Sequence, residues 1–356
     1  MMNNLKVATI FLGILATVAV FFVLKTASSV FLPISFSILL AFTLSPVVDG
    51  LMRIKVPRVV SIALALLIII AIAYLIGLFL IASLNSFIDE APKYYLRFEE
   101  ILRQISGVLN TNFSMHLPEN PMAEINFTSR FIGSIDRISQ NFMSFGKGLV
   151  IIILSTVFLL LEAPYIQVTI AKAFPRNAAK QIIIIMRHTI KQIGMYLSIK
   201  FIVSALTGLL VWFFLQIIGM DFSLIWGVLA FILNFIPNIG SFILMIITIS
   251  MGVIQFFPQP GPIIYVFITM IAVQLIVGNF FDPRMQGRRL NLSPIIIIFS
   301  LFLWGWIWGA IGMFIAVPIT AVIKIVCQNV PQLKPVSMLM ENGRKVHKNN
   351  RVGLFK

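Results

Sequence analysis

Residues 222–257 read FSLIWGVLAFILNFIPNIGSFILMIITISMGVIQFF, thirty-six positions without one ionisable side chain. Two apolar arms, Phe222–Ile236 and Ser241–Phe257, are separated by Pro237-Asn238-Ile239-Gly240. A first arm of about 14 residues rises about 21 Å as a helix, short of the roughly 30 Å hydrocarbon core of a bilayer. The Pro-Asn-Ile-Gly step frees backbone amides and carbonyls at that depth, which must be buried in protein or line a wet cavity. The spacing predicts a helical hairpin over 222–257, either re-entrant or a pair of crossing helices with a tight turn.

The rest of the chain agrees with a membrane setting. Of its 356 residues, 59% are hydrophobic and 11% charged, against roughly 45–50% and 25% in soluble domains. So few charges cannot cover a soluble surface, which excludes a soluble enzyme, a disordered protein and a secreted disulfide scaffold. The single cysteine, Cys327, leaves no internal disulfide and no Cys-cluster metal site. Apolar runs at Val7–Leu24, Ala27–Leu44 (with Pro33 inside), Val59–Leu84, Leu149–Leu161 (continuing through Gly146) and Tyr196–Ile218 read as five spans. After the 222–257 hairpin come an ordinary span, Ile263–Phe281, and a second pair of arms, Ile295–Trp308 and Ala310–Ile325, joined at Gly309 and containing Pro318. The expected fold class is therefore all-α and polytopic. It is divided into a three-span region (1–84), an extramembrane amphipathic hairpin (85–147), a fourth span with a cytoplasmic amphipathic segment (148–195), a transport core (196–326) with hairpins at 222–257 and 294–326, and a basic tail (327–356).

The net charge of +15 follows the same geography. Lys6 and the segments 45–58, 162–200, 282–290 and 324–356 together carry +16, and everything else carries −1. Lys and Arg accumulate on the cytoplasmic side of membrane proteins, so this asymmetry puts both termini in the cytoplasm. It also removes nucleic acid as the meaning of the positive charge. With the segment after span five outside near Asp221, and Asp282 back inside, the two hairpins enter from opposite sides.

Outside, Phe87, Ala91, Tyr94, Phe98, Ile101, Ile105 and Val108 form a heptad stripe on a helix continuing from span three. Phe131, Ile135, Ile138, Phe142 and Phe145 repeat the spacing on the helix entering span four. The two stripes are expected to pack on each other, or to form a subunit interface. The sequons at Asn112, Asn126 and Asn291 carry little weight alone, since Asn291 falls on the cytoplasmic side.

No catalytic constellation is present. H-E-x-x-H, G-x-S-x-G and G-x-x-x-x-G-K-[ST] are absent, and His116, His188 and His347 fall in separate soluble segments. No ATP hydrolysis, metal or other cofactor is expected, so any transport is secondary or channel-like. A mid-membrane charge costs at least about 2.5–3.5 kcal/mol and marks ion pathways, yet Asp49, Glu162, Asp221 and Asp282 all stand at span ends. Lys200, inside a run, is expected to snorkel to the cytoplasmic edge. The better candidates for a path are uncharged: Asn234, Pro237, Asn238, Gly240 and Ser241 around the first hairpin tip, with Gln274 and Asn279 in the next span. Such amides suit a weakly charged polar solute or, equally, bond helix to helix. Asp282, Arg284 and Arg288, with Asp221 and Glu162, are candidates for a gate or ion-coupling site, Asp282 being expected to pair with an arginine of its own turn. Trp304, Gly305, Trp306 and Trp308 either anchor the second hairpin at the interface or line a deep path.

At these residues the chain resembles a known family. Phe235-Ile236-Pro237-Asn238-Ile239-Gly240-Ser241 is similar to its P-x-I-G hairpin. Gly278-Asn279-Phe280-Phe281-Asp282-Pro283-Arg284, with Gly287 and Leu290, is similar to its G-N-x-x-[DE]-P-R-x-x-G-x-x-L signature. Gly312-Met313-Phe314-Ile315-Ala316-Val317-Pro318 matches its last hairpin, and Ser45-Pro46-Val47-Val48-Asp49 and Val56-Pro57-Arg58 also fit. This is the autoinducer-2 exporter (PerM-like) family, and the Asn-Ile-Gly and Trp-Gly-Trp versions most resemble its enteric branch. Lys200 departs from the family's small or amide residue there. The resemblance implies a bacterial inner-membrane homo-oligomer, a pentamer, that exports a small polar solute such as autoinducer-2 between its hairpins. Some members are described instead as sodium/proton antiporters, and a non-transporting scaffold acting through the heptad helices is a third expectation.

Overall fold

The computed structural model describes residues 2–113, 127–286 and 291–341. Among these the fold is helical, and the only β-type pairing is one isolated bridge, Leu292 to Glu341. Five long helices come first: α1 (Met2–Thr26), α2 (Ser28–Arg53), α3 (Arg58–Phe113), α4 (Phe127–Ala173) and α5 (Arg176–Ile217). Then follow α6 (Ser223–Leu233), α7 (Ile239–Phe256) and α8 (Pro260–Val273), which passes into a π-helix, Gln274–Phe281, and the short α9 (Asp282–Gln286). The chain closes with α10 (Pro294–Asn329), a 3₁₀ turn (Pro331–Leu333) and α11 (Lys334–Leu339). Seven described helices are long and apolar enough to cross a membrane.

Several helices outrun the apolar runs that announced them. α3 is 56 residues long, nearly three times the roughly 20 residues a bilayer needs, because it continues through the amphipathic stripe without a break. Asp282-Pro283-Arg284, expected as a turn, is helical through Gln286. Residues 287–290, with Arg288 and Arg289, lie outside the described residues, as do His116, His347 and Asn126. Lys324, assigned by sequence to a charged cytoplasmic segment, is 2% exposed inside α10. Its ammonium donates to the Asn291 carbonyl at 2.7 Å and lies 3.8 Å from Glu341, which ties the start of α10 to the segment beyond α11.

The chain divides into two compact units. The first comprises Met1–Ala65, Gly148–Ser198 and Arg288–Lys356. Here Ser37 of α2 donates to the Ile152 carbonyl of α4 at 3.1 Å, and Arg58 reaches the Leu160 carbonyl at 2.7 Å. A Cβ on Gly194 of α5 would stand 2.6 Å from the Phe42 carbonyl, so only glycine lets α2 and α5 approach this closely. The second hairpin belongs to this unit. α10 is two helices joined at Gly309, whose φ of 65° and ψ of −149° only glycine adopts readily. A Cβ on Gly312 would fall 1.9 Å from the Trp304 carbonyl, and on Gly305 2.7 Å from the Met313 side chain. The tip lies beside the end of α1: the Trp308 indole donates to the Leu24 carbonyl at 2.8 Å, and Lys25 sits 3.8 Å over the Trp306 ring. Trp304 and Trp308 are buried and Trp306 is exposed, so one Trp-Gly-Trp sequence serves both packing and surface.

The second unit comprises Leu66–Lys147 and Ile199–Gly287. Its apolar core draws Val203, Val211 and Leu215 from α5, Trp226 and Ala230 from α6, Leu244 and Met251 from α7, and Val266, Met270 and Val277 from α8 and its continuation. Tyr94 of the α3 extension joins that core, and Phe87 packs against it. Both rings meet Phe222 edge-on, at 5.2 Å for Phe87 and 6.2 Å for Tyr94. The near half of the first heptad stripe is thus covered by the α5–α6 turn. The side chains of the facing stripe, 131–145, are outside the described set.

Candidate functional site

The site is organised by one face of α5. Residues four apart stack on the same side of a helix, and Lys200, Ser204, Gly208 and Trp212 make such a row. Each meets a different part of the second unit. A Cβ on Gly208 would lie 2.6 Å from the Gly227 carbonyl, and one on Gly227 2.6 Å from the Trp212 Cβ, so α5 and α6 cross with backbones in contact. One turn earlier, the Asn234 amide at the end of α6 donates to the Ser204 hydroxyl at 3.0 Å. One turn earlier again, the Lys200 ammonium donates to Asp282 Oδ2 at 3.1 Å. Four residues of α-helix span about 6 Å, so the broken-helix tip and the ion pair are neighbours along α5.

This overturns one expectation. Lys200 does not snorkel: its side chain is 4% exposed, and an ammonium so buried requires a counter-charge. Asp282, 20% exposed, supplies it; Arg288 and Arg289 of its turn lie outside the described residues. The described arginine of that turn, Arg284, stacks 3.4 Å from the centre of the Phe280 ring. The route by which Asp282 arrives is also unannounced by the sequence. From Gln274 to Phe281 the helix widens to i→i+5 bonding, a rare form that is frequent at functional sites. Gly278 makes room for it, since a Cβ there would lie 2.8 Å from the Gln274 side-chain nitrogen. The widening resets the rotation of everything after it, Asp282 included.

At the first tip, Asn238 holds φ 60° and ψ −49° while Ile239 N–H donates to the Pro237 carbonyl at 2.7 Å. That is the rare γ-turn with a positive central φ, a strained arrangement for a residue with a side chain. A Cβ on Gly240 would fall 1.8 Å from the Leu233 carbonyl. Asn234, Phe235 and Ile236 are buried, Pro237 and Ser241 half-buried, and Asn238 exposed at the turn. Gln274 is half-buried against Gly278 and Asn279 exposed, so neither amide joins the Ser204–Asn234 pair.

Asp221 belongs to a second polar group, beyond the span of α3. The Tyr94 hydroxyl donates to Asp221 Oδ2 at 2.5 Å, and Lys93 lies 3.7 Å from the same oxygen. Asp221 N–H donates to Gln255 Oε1 at 2.9 Å, Gln255 Nε2 donates to the Gly219 carbonyl at 3.0 Å, and Arg97 donates to the Gln255 carbonyl. This clamp ties the α3 extension to the α5–α6 turn and to the end of α7. Burial, and then the Asp221 hydrogen bond, push the Tyr94 hydroxyl far above its ordinary pKa, which keeps it a donor. The Lys93 hydrogen bond holds exposed Glu90 below the usual carboxylate range. Glu162 is exposed on α4, Pro318 is buried within α10, and neither meets an ionisable partner among the described residues. The described residues hold no group of three or more His, Cys, Asp or Glu suited to a metal ion.

A broken-helix hairpin, a buried polar row and a bundle of membrane-length helices are the parts of a transporter. The profile of the AI-2E family transporters matches residues 11–332. The chain belongs to the AI-2E transporter family. A Borreliella burgdorferi protein is 32% identical over 335 residues, 94% of this chain and 91% of that protein. A Haemophilus influenzae protein is 30% identical over 349 residues, 96% of this chain and 98% of that one. Both bear the name "Putative transport protein". The AI-2 transport protein TqsA of Escherichia coli is 28% identical over 355 residues, 97% of this chain and 98% of TqsA. This AI-2E transporter family member is an all-α, multi-pass membrane protein. The quoted Pro237–Gly240 and Gly278–Arg284 motifs form the first hairpin tip and the π-helical approach to Asp282.

Proposed function

We propose that the protein is a secondary exporter of a small, weakly charged polar solute, autoinducer-2 being the leading candidate, in a bacterial inner membrane with both termini cytoplasmic. The observation that carries this reading is the Lys200–Ser204 row, where an ion pair and the Asn234 amide sit side by side at a broken-helix tip. Neutralised charge with hydroxyl and amide partners suits a polyol-like solute better than a free ion. Likeness to TqsA adds to it. Efflux of labelled autoinducer-2 from loaded cells is the test. A deletion strain retaining the solute, rescued by the native chain and by no Asn234→Leu variant, is the expected result.

The ion pair also favours a second reading, cation/proton exchange, because a proton on Asp282 or a cation displacing the Lys200 ammonium would each break it. Everted vesicles separate the two. A sodium-driven pH change lost in Asp282→Asn selects exchange, and its absence in native vesicles selects the exporter. Assembly as a homo-oligomer, a pentamer by family likeness, is part of the same proposal.

A further inference from the structure

A cavity of about 770 Å³ lies wholly within the first unit, formed where the ends of α2 and α4 meet the start of α3 and the first half of α5. Four basic side chains converge on it, Arg53, Arg58, Arg187 and Lys191, against the single carboxylate of Asp49. Two of the four are held in place by neutral acceptors. Arg58 donates through Nε and Nη2 to the Leu160 carbonyl, and Arg187 donates to the Gln167 side-chain oxygen. Arg53 and Lys191 form no ion pair among the described residues. Elsewhere the described ion pairs engage Lys93, Arg103, Lys200 and Lys324, each with a carboxylate. The floor, with Phe42 and Ile190, is apolar.

The positive-inside rule accounts for basic residues at helix ends, and these lie on the face to which the charge asymmetry assigns the cytoplasm. It does not account for four of them, from three helices, facing one half-open cavity against a single carboxylate. Like charges gathered in a cavity repel, and an anion relieves that cost. Guanidinium forks fit phosphate oxygens bidentately, and the volume is within the roughly 300–1,000 Å³ of small-ligand sites.

We propose that this cavity binds a phosphate-bearing anion with an apolar portion from the cytoplasmic face, a site separate from the Lys200–Asp282 row. The phosphate belongs either to a lipid headgroup or to a soluble phosphomonoester, and two arms of one experiment distinguish them. In the first, the full chain in phosphatidylcholine nanodiscs is titrated calorimetrically with glycerol 3-phosphate and with inorganic phosphate. In the second, native mass spectrometry counts the lipid retained after reconstitution in phosphatidylglycerol or in phosphatidylcholine. Saturable binding in the first arm identifies a soluble ligand, and selective retention of phosphatidylglycerol identifies a headgroup. In either case Arg53→Gln and Lys191→Gln weaken binding at least about tenfold, while Lys334→Gln, outside the cavity, does not. No binding in either arm overturns the proposal, as does a loss smaller than that in both cavity variants. Neither residue bridges helices, so both variants are expected to melt at the native temperature, which keeps a binding loss distinct from misfolding.

Discussion

At the scale of single residues, Lys200 has the most consequence. Removing one partner of a buried pair leaves the other uncompensated, at about 3–5 kcal/mol, whereas removing both is far less costly. Asp282→Asn is therefore expected to lower the melting temperature in detergent more than the Lys200→Gln, Asp282→Asn double variant does. Equal loss in both would show the pair to be energetically idle. Asn238 offers a cleaner separation of structure from function. Glycine tolerates a positive φ without the cost of about 1–3 kcal/mol borne by other residues, so Asn238→Gly is expected to keep or raise the melting temperature. If its amide handles solute, efflux falls in that variant although the fold is intact.

At the scale of elements, the two hairpins use one device. In each, a glycine on the returning arm presses against a carbonyl of the entering arm: Gly240 on Leu233, Gly312 on Trp304. A methyl group at either point overlaps backbone that has nowhere to move. Gly240→Ala and Gly312→Ala are each expected to reduce folded yield in the membrane, while Gly13→Ala, with open space around it, is expected to be silent.

The α3 extension is governed by a different term. Tyr94→Phe removes a bond to a charged group, worth about 1.5–3 kcal/mol, and should lower the melting temperature accordingly. The Tyr94 pKa is raised in the fold, so its contribution is complete below the unfolded value near 10 and is lost as pH rises through the higher folded one. Glu90 has the opposite sign: its depressed folded pKa gives a contribution present above the unfolded carboxylate value and lost as pH falls. The Tyr94→Phe difference in melting temperature is thus expected to be constant across neutral pH and to shrink only in strong alkali. A difference that vanished at neutral pH would place the clamp outside the stability of the fold.

At the scale of the whole molecule, the charge asymmetry predicts that reporters fused after residue 356 and before residue 1 both read cytoplasmic, and that a cysteine at Glu100 is labelled from outside intact cells. A cytoplasmic Glu100 would invert every orientation argued from charge. Membrane class, the approximate helix positions and both hairpin tips were legible because each depends on local composition: apolar length is dictated by bilayer thickness, and Pro-Asn-Ile-Gly and Gly309 interrupt the apolar runs in which they stand. The heptad stripe was legible as a stripe, but the cover of Phe87 and Tyr94 by Phe222 was not, because an apolar face does not say which apolar side chain will cover it. Lys200 with Asp282 are 82 residues apart, and the α5–α6 crossing and the π-helix set the rotation that joins them. Lys324 read as one more cytoplasmic charge until packing enclosed it. The sequence by itself thus determined which segments enter the membrane and where they turn, since transfer from water to lipid is summed along the chain. Only the tertiary structure decided which polar groups meet, because a buried charge is satisfied by whatever neighbour the packing of helices presents to it.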